Sequence, residues 1–321
     1  MKILIAPLNW GLGHASRCVP LVQRLLEEGH EVVLGGDGDS LTLLRKHFPK
    51  QRYVYLAPLN LRYSAGRRQV WAMLKAIPKL FFWSLNDHAL LKAVLREEAF
   101  DQVISDNRFG LYSKSVECIY MTHQLHIMLP RGWRWAEPIA SRMHARVYTR
   151  FNKVWVPDNE DPQKSLAGEL SRIPSSFHLS PFTFQYIGPL SRFVGIPESR
   201  DTEMPNYSVV AVLSGLEPHR TLLEKEIIAR YTGKAETVLL VQGLMSRPNT
   251  RIKRGNITIV PYLADTELAT ALMGAKRIIA RSGYSTVMDL HALGVLDKAE
   301  LIPTPGQPEQ EYLATLHDKN N

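Results

Sequence analysis

The chain has 321 residues, 45% of them hydrophobic and 22% charged, with 20 Gly and 20 Pro. This is ordinary globular composition, which excludes a disordered or collagen-like chain, and at roughly 100–200 residues per domain the length predicts two domains. The formal charge of +8 is uneven: residues 1–190 hold 24 Lys and Arg against 16 Asp and Glu, and the rest balance at 15 and 15. An excess confined to the first half points to an anionic partner there: phosphate groups, nucleic acid or an acidic membrane surface.

No apolar run approaches the roughly 18 residues of a membrane-spanning helix. The longest bulky cluster is Leu80-Phe81-Phe82-Trp83. The N-terminus opens like a leader peptide but breaks at Pro7-Leu8-Asn9-Trp10-Gly11, so it reads as a buried first strand. Cys18 and Cys118 show neither metal spacing nor a pairing pattern, which predicts a reducing, cytoplasmic setting.

In chain order, residues 2–7 read as a strand, followed by a glycine-containing loop and a helix over about 14–28. Val19, Val22, Leu25 and Leu26 share one face of that helix. Gly29 stops it, and 31–34 is a second strand. Further strands are predicted at 53–57, 102–105, 118–122 and 153–156. The Pro-, Gly- and charge-rich stretch 188–205 reads as a linker. Alternation then resumes, with strands at 209–213, 237–241, 257–260, 277–280 and 300–302 and a helix over 218–231. Such alternation predicts an α/β chain of two doubly wound Rossmann-like domains, 1–187 and 206–321, facing across a cleft.

Four constellations lie at predicted strand ends. In Asn9-Trp10-Gly11-Leu12-Gly13-His14-Ala15-Ser16-Arg17, Gly11 and Gly13 permit a sharp strand-to-helix turn, and His14 stands at the edge of the cleft. Neither a dinucleotide fingerprint nor a phosphate-binding P-loop is present, because Ser16 takes the third glycine position and no G-K-[ST] follows. In Ser105-Asp106-Asn107-Arg108, Asp106 falls on the same rim as His14; it suits either orienting an imidazole or capping a helix. Thr122-His123-Gln124 adds polar groups to that rim. Leu213-Ser214-Gly215-Leu216-Glu217-Pro218-His219-Arg220 is a small loop opening a helix, which fits an anion site, with charge added by His219 and Arg220, or an ordinary turn. Finally, Arg281-Ser282-Gly283-Tyr284-Ser285-Thr286 places small hydroxylated residues at a helix start. Asp289 follows one turn later, and Pro303-Thr304-Pro305-Gly306-Gln307-Pro308-Glu309-Gln310-Glu311-Tyr312-Leu313-Ala314 comes after the next strand. Asp37-Gly38-Asp39 reads as turn chemistry.

The pair R-S-G-Y-S-T-x-M-D and P-T-P-G-Q-x-E-Q-E-Y-L-A resembles the nucleotide-sugar signature of GT-B glycosyltransferases. Nearest among these are the enzymes that transfer N-acetylglucosamine from UDP-GlcNAc to lipid-linked muropeptide. G-L-G-H resembles their N-terminal loop and S-G-L-E-P-H-R-T their diphosphate loop, with Trp155-Val156-Pro157-Asp158 a further landmark. The resemblance implies an inverting, metal-independent transferase that needs no cofactor beyond a UDP-sugar co-substrate and no nucleic acid. It implies that Asp289 holds the donor ribose. Ser214, Gly215, Ser285 and Thr286 would surround the diphosphate, with Arg281, Ser282 and Gly283 among the donor-binding residues. Gln310, with Gln307, would meet the sugar, and Tyr262 or Leu263 would lie against the base. His14 would be the catalytic base with Asp106 beside it, and Gly11, Gly13, Asn107, His123 and Gln124 would line the acceptor side. Because the chain stops seven residues after Ala314, a shortened C-terminal domain is expected. A UDP-sugar 2-epimerase and a nucleotide-sugar-binding protein share the same architecture.

Two basic stretches carry aromatics. Arg62, Arg67, Arg68, Lys75 and Lys79 precede Leu80-Phe81-Phe82-Trp83, and Arg131, Arg134, Arg142, Arg146, Arg150 and Lys153 accompany Trp133 and Trp135. They suit an anionic lipid surface, or a core with a solvated basic face. With the resemblance, they imply a protein peripheral on the cytoplasmic membrane face.

Overall fold

The structure, a computed structural model, describes residues 1–59, 69–172, 183–196 and 205–318. Among these residues the first half forms a seven-stranded parallel sheet in the order β3-β2-β1-β4-β5-β6-β7. Its strands are β1 (Lys2–Pro7), β2 (Glu31–Gly36), β3 (Tyr53–Tyr55), β4 (Gln102–Asp106), β5 (Glu117–Met121), β6 (Lys153–Val156) and β7 (Thr183–Tyr186). Helices α1 (Gly13–Glu27), α2 (Gly38–His47), α3 (Gln69–Glu97) and α4 (Glu137–Tyr148) connect them. The second half has six strands in the order β10-β11-β9-β8-β12-β13. These are β8 (Val209–Val212), β9 (Val238–Val241), β10 (Ile252–Arg254), β11 (Ile257–Val260), β12 (Arg277–Arg281) and β13 (Ala299–Ile302). Only the β10–β11 pair is antiparallel. Helices α5 (His219–Tyr231), α6 (Asp265–Gly274), α7 (Tyr284–Ala292) and α8 (Pro308–Leu316) complete it.

The central strands are apolar on both faces because helices cover both. Leu4, Ile5, Val33, Ile104 and Ile119 are wholly buried, each gaining about 1.5–3 kcal/mol from burial. The stripe of α1 behaves as its spacing predicts: Val19, Val22 and Leu25 are buried and Leu26 is partly so.

The two halves share a core. Tyr284, Val287, Met288 and Leu313 pack in one cluster with Ile3, Ala15, Val19 and Leu166. Tyr284 Oη donates to the Pro157 carbonyl at 2.8 Å, so the Trp155–Asp158 landmark seats α7. Helix α8 also meets the first half: Tyr312 Oη accepts from the Glu169 N–H at 2.9 Å, and His317 Nε2 donates to the Leu166 carbonyl at 2.8 Å.

Residues 188–196 are not a free linker. Leu190 packs into the shared core and Phe193 into the core of the second sheet. The remainder of the predicted linker up to residue 204 lies outside the described residues, as do Arg62, Arg67 and Arg68. Asp37 is more than turn chemistry: it accepts from Arg108 at 3.2 Å and from Asn9 Nδ2 at 2.9 Å. Arg108, fully buried, also makes a two-pronged pair with Asp87 at 3.0 and 2.7 Å.

Candidate functional site

Strands β1 and β4 are parallel neighbours with Pro7 opposite Asp106, so the start of α1 and the end of β4 share one rim. His14, in the first turn of α1, lies with Nδ1 3.0 Å from Asp106 Oδ1. Asp106 caps no helix. It is wholly buried and bound by Arg17, whose Nε donates to Oδ2 at 2.9 Å and whose Nη2 donates to Oδ1. Burial alone would raise the Asp106 carboxyl, but the Arg17 and His14 charges and hydrogen bonds hold it below the usual range. Arg17 Nη1 reaches His123 Nδ1 at 3.1 Å. Asn107 adopts a left-handed φ of 61°, which asparagine tolerates, and its Oδ1 accepts from Tyr120 Oη at 2.6 Å.

The glycine loops meet the second half. Gly11 (φ 78°) approaches Gly215 (φ 92°), with its Cβ direction 3.7 Å from the Gly215 nitrogen. A Cβ on Gly13 would sit 2.9 Å from Ser285 Oγ, which itself donates to the Gly13 carbonyl at 2.8 Å. Only a glycine lets α7 come this close. The N-terminal ends of α1 and α7 therefore converge, and each brings unpaired N–H groups and a positive dipole end.

Other predicted donor residues are placed as follows. Ser282 is buried and donates to the Gln310 carbonyl at 2.7 Å. Gly283 precedes α7, and Thr286 lies in its first turn. Gln310 Oε1 accepts from the Thr304 N–H at 2.8 Å while its Nε2 donates to Gln307 Oε1 at 2.6 Å, so the two glutamines brace one another. Asp289 accepts from Ser191 Oγ at 2.6 Å and lies 3.7 Å from Arg192 Nε. Burial pushes its carboxyl up to about 6 despite Arg192. Ser214 sits in the loop between β8 and α5, beside Gly215.

Three placements differ from expectation. Arg281 donates to the main-chain carbonyls of Pro303 at 2.9 Å and His219 at 2.8 Å, so its fork ties two loops together instead of facing the gap. Leu263 is a core residue packed with Val260 and Leu268, whereas Tyr262 is only partly buried. Arg220 is engaged by Glu217 and Glu224, so it adds little charge to the Ser214–Gly215 loop.

Sequence reasoning missed four participants. Arg17 sits three residues after His14, on the same helical face. Glu309, inside the quoted signature, accepts from His123 Nε2 at 2.9 Å and from Gln124 Nε2. Arg192 flanks Asp289 and pairs with Asp265 at 3.2 Å. Lys46, from α2, places Nζ 3.8 Å from the Tyr262 ring centre and donates to the Met245 carbonyl at 3.0 Å. The last three signals lie in loops and helix ends that only tertiary folding brings together.

No protein-family model matches the chain. It is 27% identical to a protein of Methanosarcina acetivorans named "Uncharacterized glycosyltransferase", over 98% of this chain and 83% of that protein. A like-named protein of Methanosarcina mazei is 22% identical over the same shares. Among solved structures, the Streptomyces sp. SF2575 glycosyltransferase SsfS6 complexed with thymidine diphosphate superposes with a TM-score of 0.58 at 12% identity, covering 98% of this chain and 86% of that one. The forosaminyltransferase SpnP gives 0.55 at 16% identity, covering 99% and 93%. Arabidopsis thaliana UGT89C1 complexed with UDP-L-rhamnose gives 0.52 at 14% identity, covering 99% and 90%. Two parallel-sheet halves joined across α1 and α7 are thus the GT-B fold of glycosyltransferases, over nearly the whole of this chain.

Proposed function

We propose that the chain is an inverting, metal-independent glycosyltransferase. It moves a sugar, N-acetylglucosamine or a similar hexose, from a UDP-sugar to a lipid-linked or cell-envelope glycan acceptor. The observation that carries this reading is the His14–Asp106 pair on the rim of the first sheet, directly opposite the start of α7. The names of the Methanosarcina relatives and the nucleotide ligands of SsfS6 and UGT89C1 support it.

In this mechanism His14 Nε2 takes the proton of an acceptor hydroxyl. The freed oxygen forms a bond to the anomeric carbon as the bond from that carbon to the diphosphate oxygen breaks, with inversion. Asp106 receives Nδ1–H and stabilises the imidazolium. Negative charge growing on the diphosphate meets the main-chain N–H groups around Ser214–Gly215 and the first turn of α7, with Ser285 and Thr286 hydroxyls beside them. Asp289 holds the ribose diol, and Tyr262 faces the base.

A membrane-borne acceptor is supported by the surface of the first half. Phe81 and Phe82 are 58% and 68% exposed, with Ile77 and Leu85 on the same side of α3, while Trp83 turns inward and donates to the Ala57 carbonyl. Trp135, Ile139 and Met143, spaced four residues apart, form a second exposed stripe on α4 and the turn before it. Phe109 stands between the two helices, its ring 6.3 Å from Trp83 and 6.0 Å from His144. Exposed Arg131, Arg134, Arg142 and Arg146 flank the second stripe. Among the described residues no helix is long and apolar enough to cross a membrane. The contact proposed is peripheral, on the cytoplasmic face.

Incubation with UDP-, dTDP- and GDP-sugars, following nucleotide release and the fate of the sugar, tests the reading. Transfer with release of UDP supports it. A changed sugar epimer, or binding without turnover, overturns it in favour of an epimerase or a binding protein.

A further inference from the structure

Behind the His14–Asp106 pair a continuous polar chain extends through Arg17, His123 and Glu309 of α8, which the proposed chemistry does not use. Arg17, Asp106 and His123 are 1%, 0% and 5% exposed. Its links are Glu309 Oε1 to His123 Nε2 at 2.9 Å, His123 Nδ1 to Arg17 Nη1 at 3.1 Å, and Arg17 Nε to Asp106 Oδ2 at 2.9 Å. Other groups facing it are Cys18, 3.7 Å from Asp106 Oδ2, Gln124 on Glu309, and Tyr284, stacked 4.4 Å from the His123 ring.

A guanidinium only donates, and an ionised carboxylate only accepts. The nitrogen of His123 that faces Arg17 must therefore be bare, and its proton sits on Nε2, where Glu309 accepts it. At His14 the same logic meets a conflict. Nδ1 lies 3.0 Å from the donor Arg17 Nη2 and 3.0 Å from the acceptor Asp106 Oδ1. Protonated, Nδ1 serves Asp106 and leaves Nε2 bare, as a base requires. Bare, Nδ1 serves Arg17 and puts the proton on Nε2, which disables the base. The position of the Arg17 fork decides between them, and that fork is anchored on its far side by His123.

We infer that Arg17 is the positioning residue that selects the His14 tautomer, and that Glu309 of the second half anchors it through His123. With Glu309 seated, the fork is drawn toward His123 and His14 keeps its proton on Nδ1. Without Glu309, the His123 ring loses the acceptor that holds its proton on Nε2 and fixes its position, its hold on the fork weakens, and the fork relaxes toward His14. Docking of α8 thereby arms the base only when the two halves are together. The functional consequence rests on the proposed role of His14; the tautomer coupling does not.

The test is long-range 1H–15N NMR of the histidine rings in the full chain at about pH 9, where imidazoles are generally neutral. Wild-type His14 should be mainly Nδ1–H. Glu309→Ala should lower its Nδ1–H to Nε2–H ratio about fivefold, the effect of losing one hydrogen-bond anchor. Glu309→Gln, which retains an acceptor oxygen, should restore the ratio. In an Arg17→Lys background, which keeps the charge and removes the fork, Glu309→Ala should have no effect on His14. An unchanged ratio in Glu309→Ala overturns the inference, as does failure of Glu309→Gln to restore it. So does a shift that survives Arg17→Lys; if that variant does not fold, the Glu309 pair alone decides. Coupling without sugar transfer would retain this inference and remove the proposed activity.

Discussion

Asp289→Asn separates binding from stability in a single substitution. In the folded chain the carboxyl is 13% exposed and pushed up to about 6 by burial, against 3.8 for an ordinary aspartate. Below about pH 4 both folded and unfolded states carry the proton, and the residue costs nothing. Between about 4 and 6 the unfolded chain ionises first, so stability falls as pH rises; above about 6 the cost is constant. Two pH units correspond to about 3 kcal/mol, so the charge held above pH 7 costs about 1–3 kcal/mol. Asparagine keeps an acceptor for Ser191, and Arg192 retains Asp265. The variant should therefore melt about 2–5 °C higher than wild type at pH 8 and equally at pH 4. UDP affinity, read by calorimetry, should drop about 10- to 100-fold, because the ribose diol loses a charged acceptor. Unchanged UDP binding with the fold intact would refute the ribose assignment. A melting gain that is absent at pH 8, or equal at pH 4, would refute the account of the buried charge.

Replacing His14 by alanine should cut turnover at least about 100-fold while leaving the UDP dissociation constant near its wild-type value; retained turnover would move the base elsewhere. Gly13→Ala drives a methyl against Ser285 Oγ and Cβ, at 2.9 and 3.1 Å, and should cost about 1–3 kcal/mol in denaturant unfolding. Ser285→Gly should recover much of that loss, and independent, additive effects would contradict the contact. Sedimentation with anionic vesicles should capture the protein at low salt, release it at high salt, and weaken about tenfold in Phe82→Ser/Trp135→Ser. Protein left in the supernatant at low ionic strength would sink the membrane reading.

The parallel strands were legible because sheets covered on both faces need unbroken apolar runs, and residues 3–6 and 238–241 are such runs. The strands that escaped reading are edges. Ile252–Arg254 is exposed at every residue, and Thr183–Tyr186 is a four-residue border strand; neither carries the apolar density of an interior strand. The His14–Asp106 pair was legible from topology, since parallel strands put their carboxyl ends on one rim. The partition of Leu80-Phe81-Phe82-Trp83 was not, because helical rotation about α3 decides which rings turn inward, and periodicity alone leaves that phase open.

Charge was the least legible property, and the arginines show why. Three of them in quoted motifs have unlike fates: Arg17 clamps Asp106, Arg108 grips Asp87 of α3, and Arg281 holds loop carbonyls. Nothing in the one-dimensional pattern distinguishes them, because burial of an arginine depends on whether a carboxylate or carbonyl arrives within reach of its fork. Yet the inference drawn from the overall excess survives their loss to the interior. Among the described residues, the buried formal charges of the first half are two arginines against four aspartates. Removing that set takes away more negative than positive charge, so the remainder of the first half is more basic than its total suggests. The field that would draw a diphosphate or an anionic lipid toward α3 and α4 therefore comes from side chains outside the core.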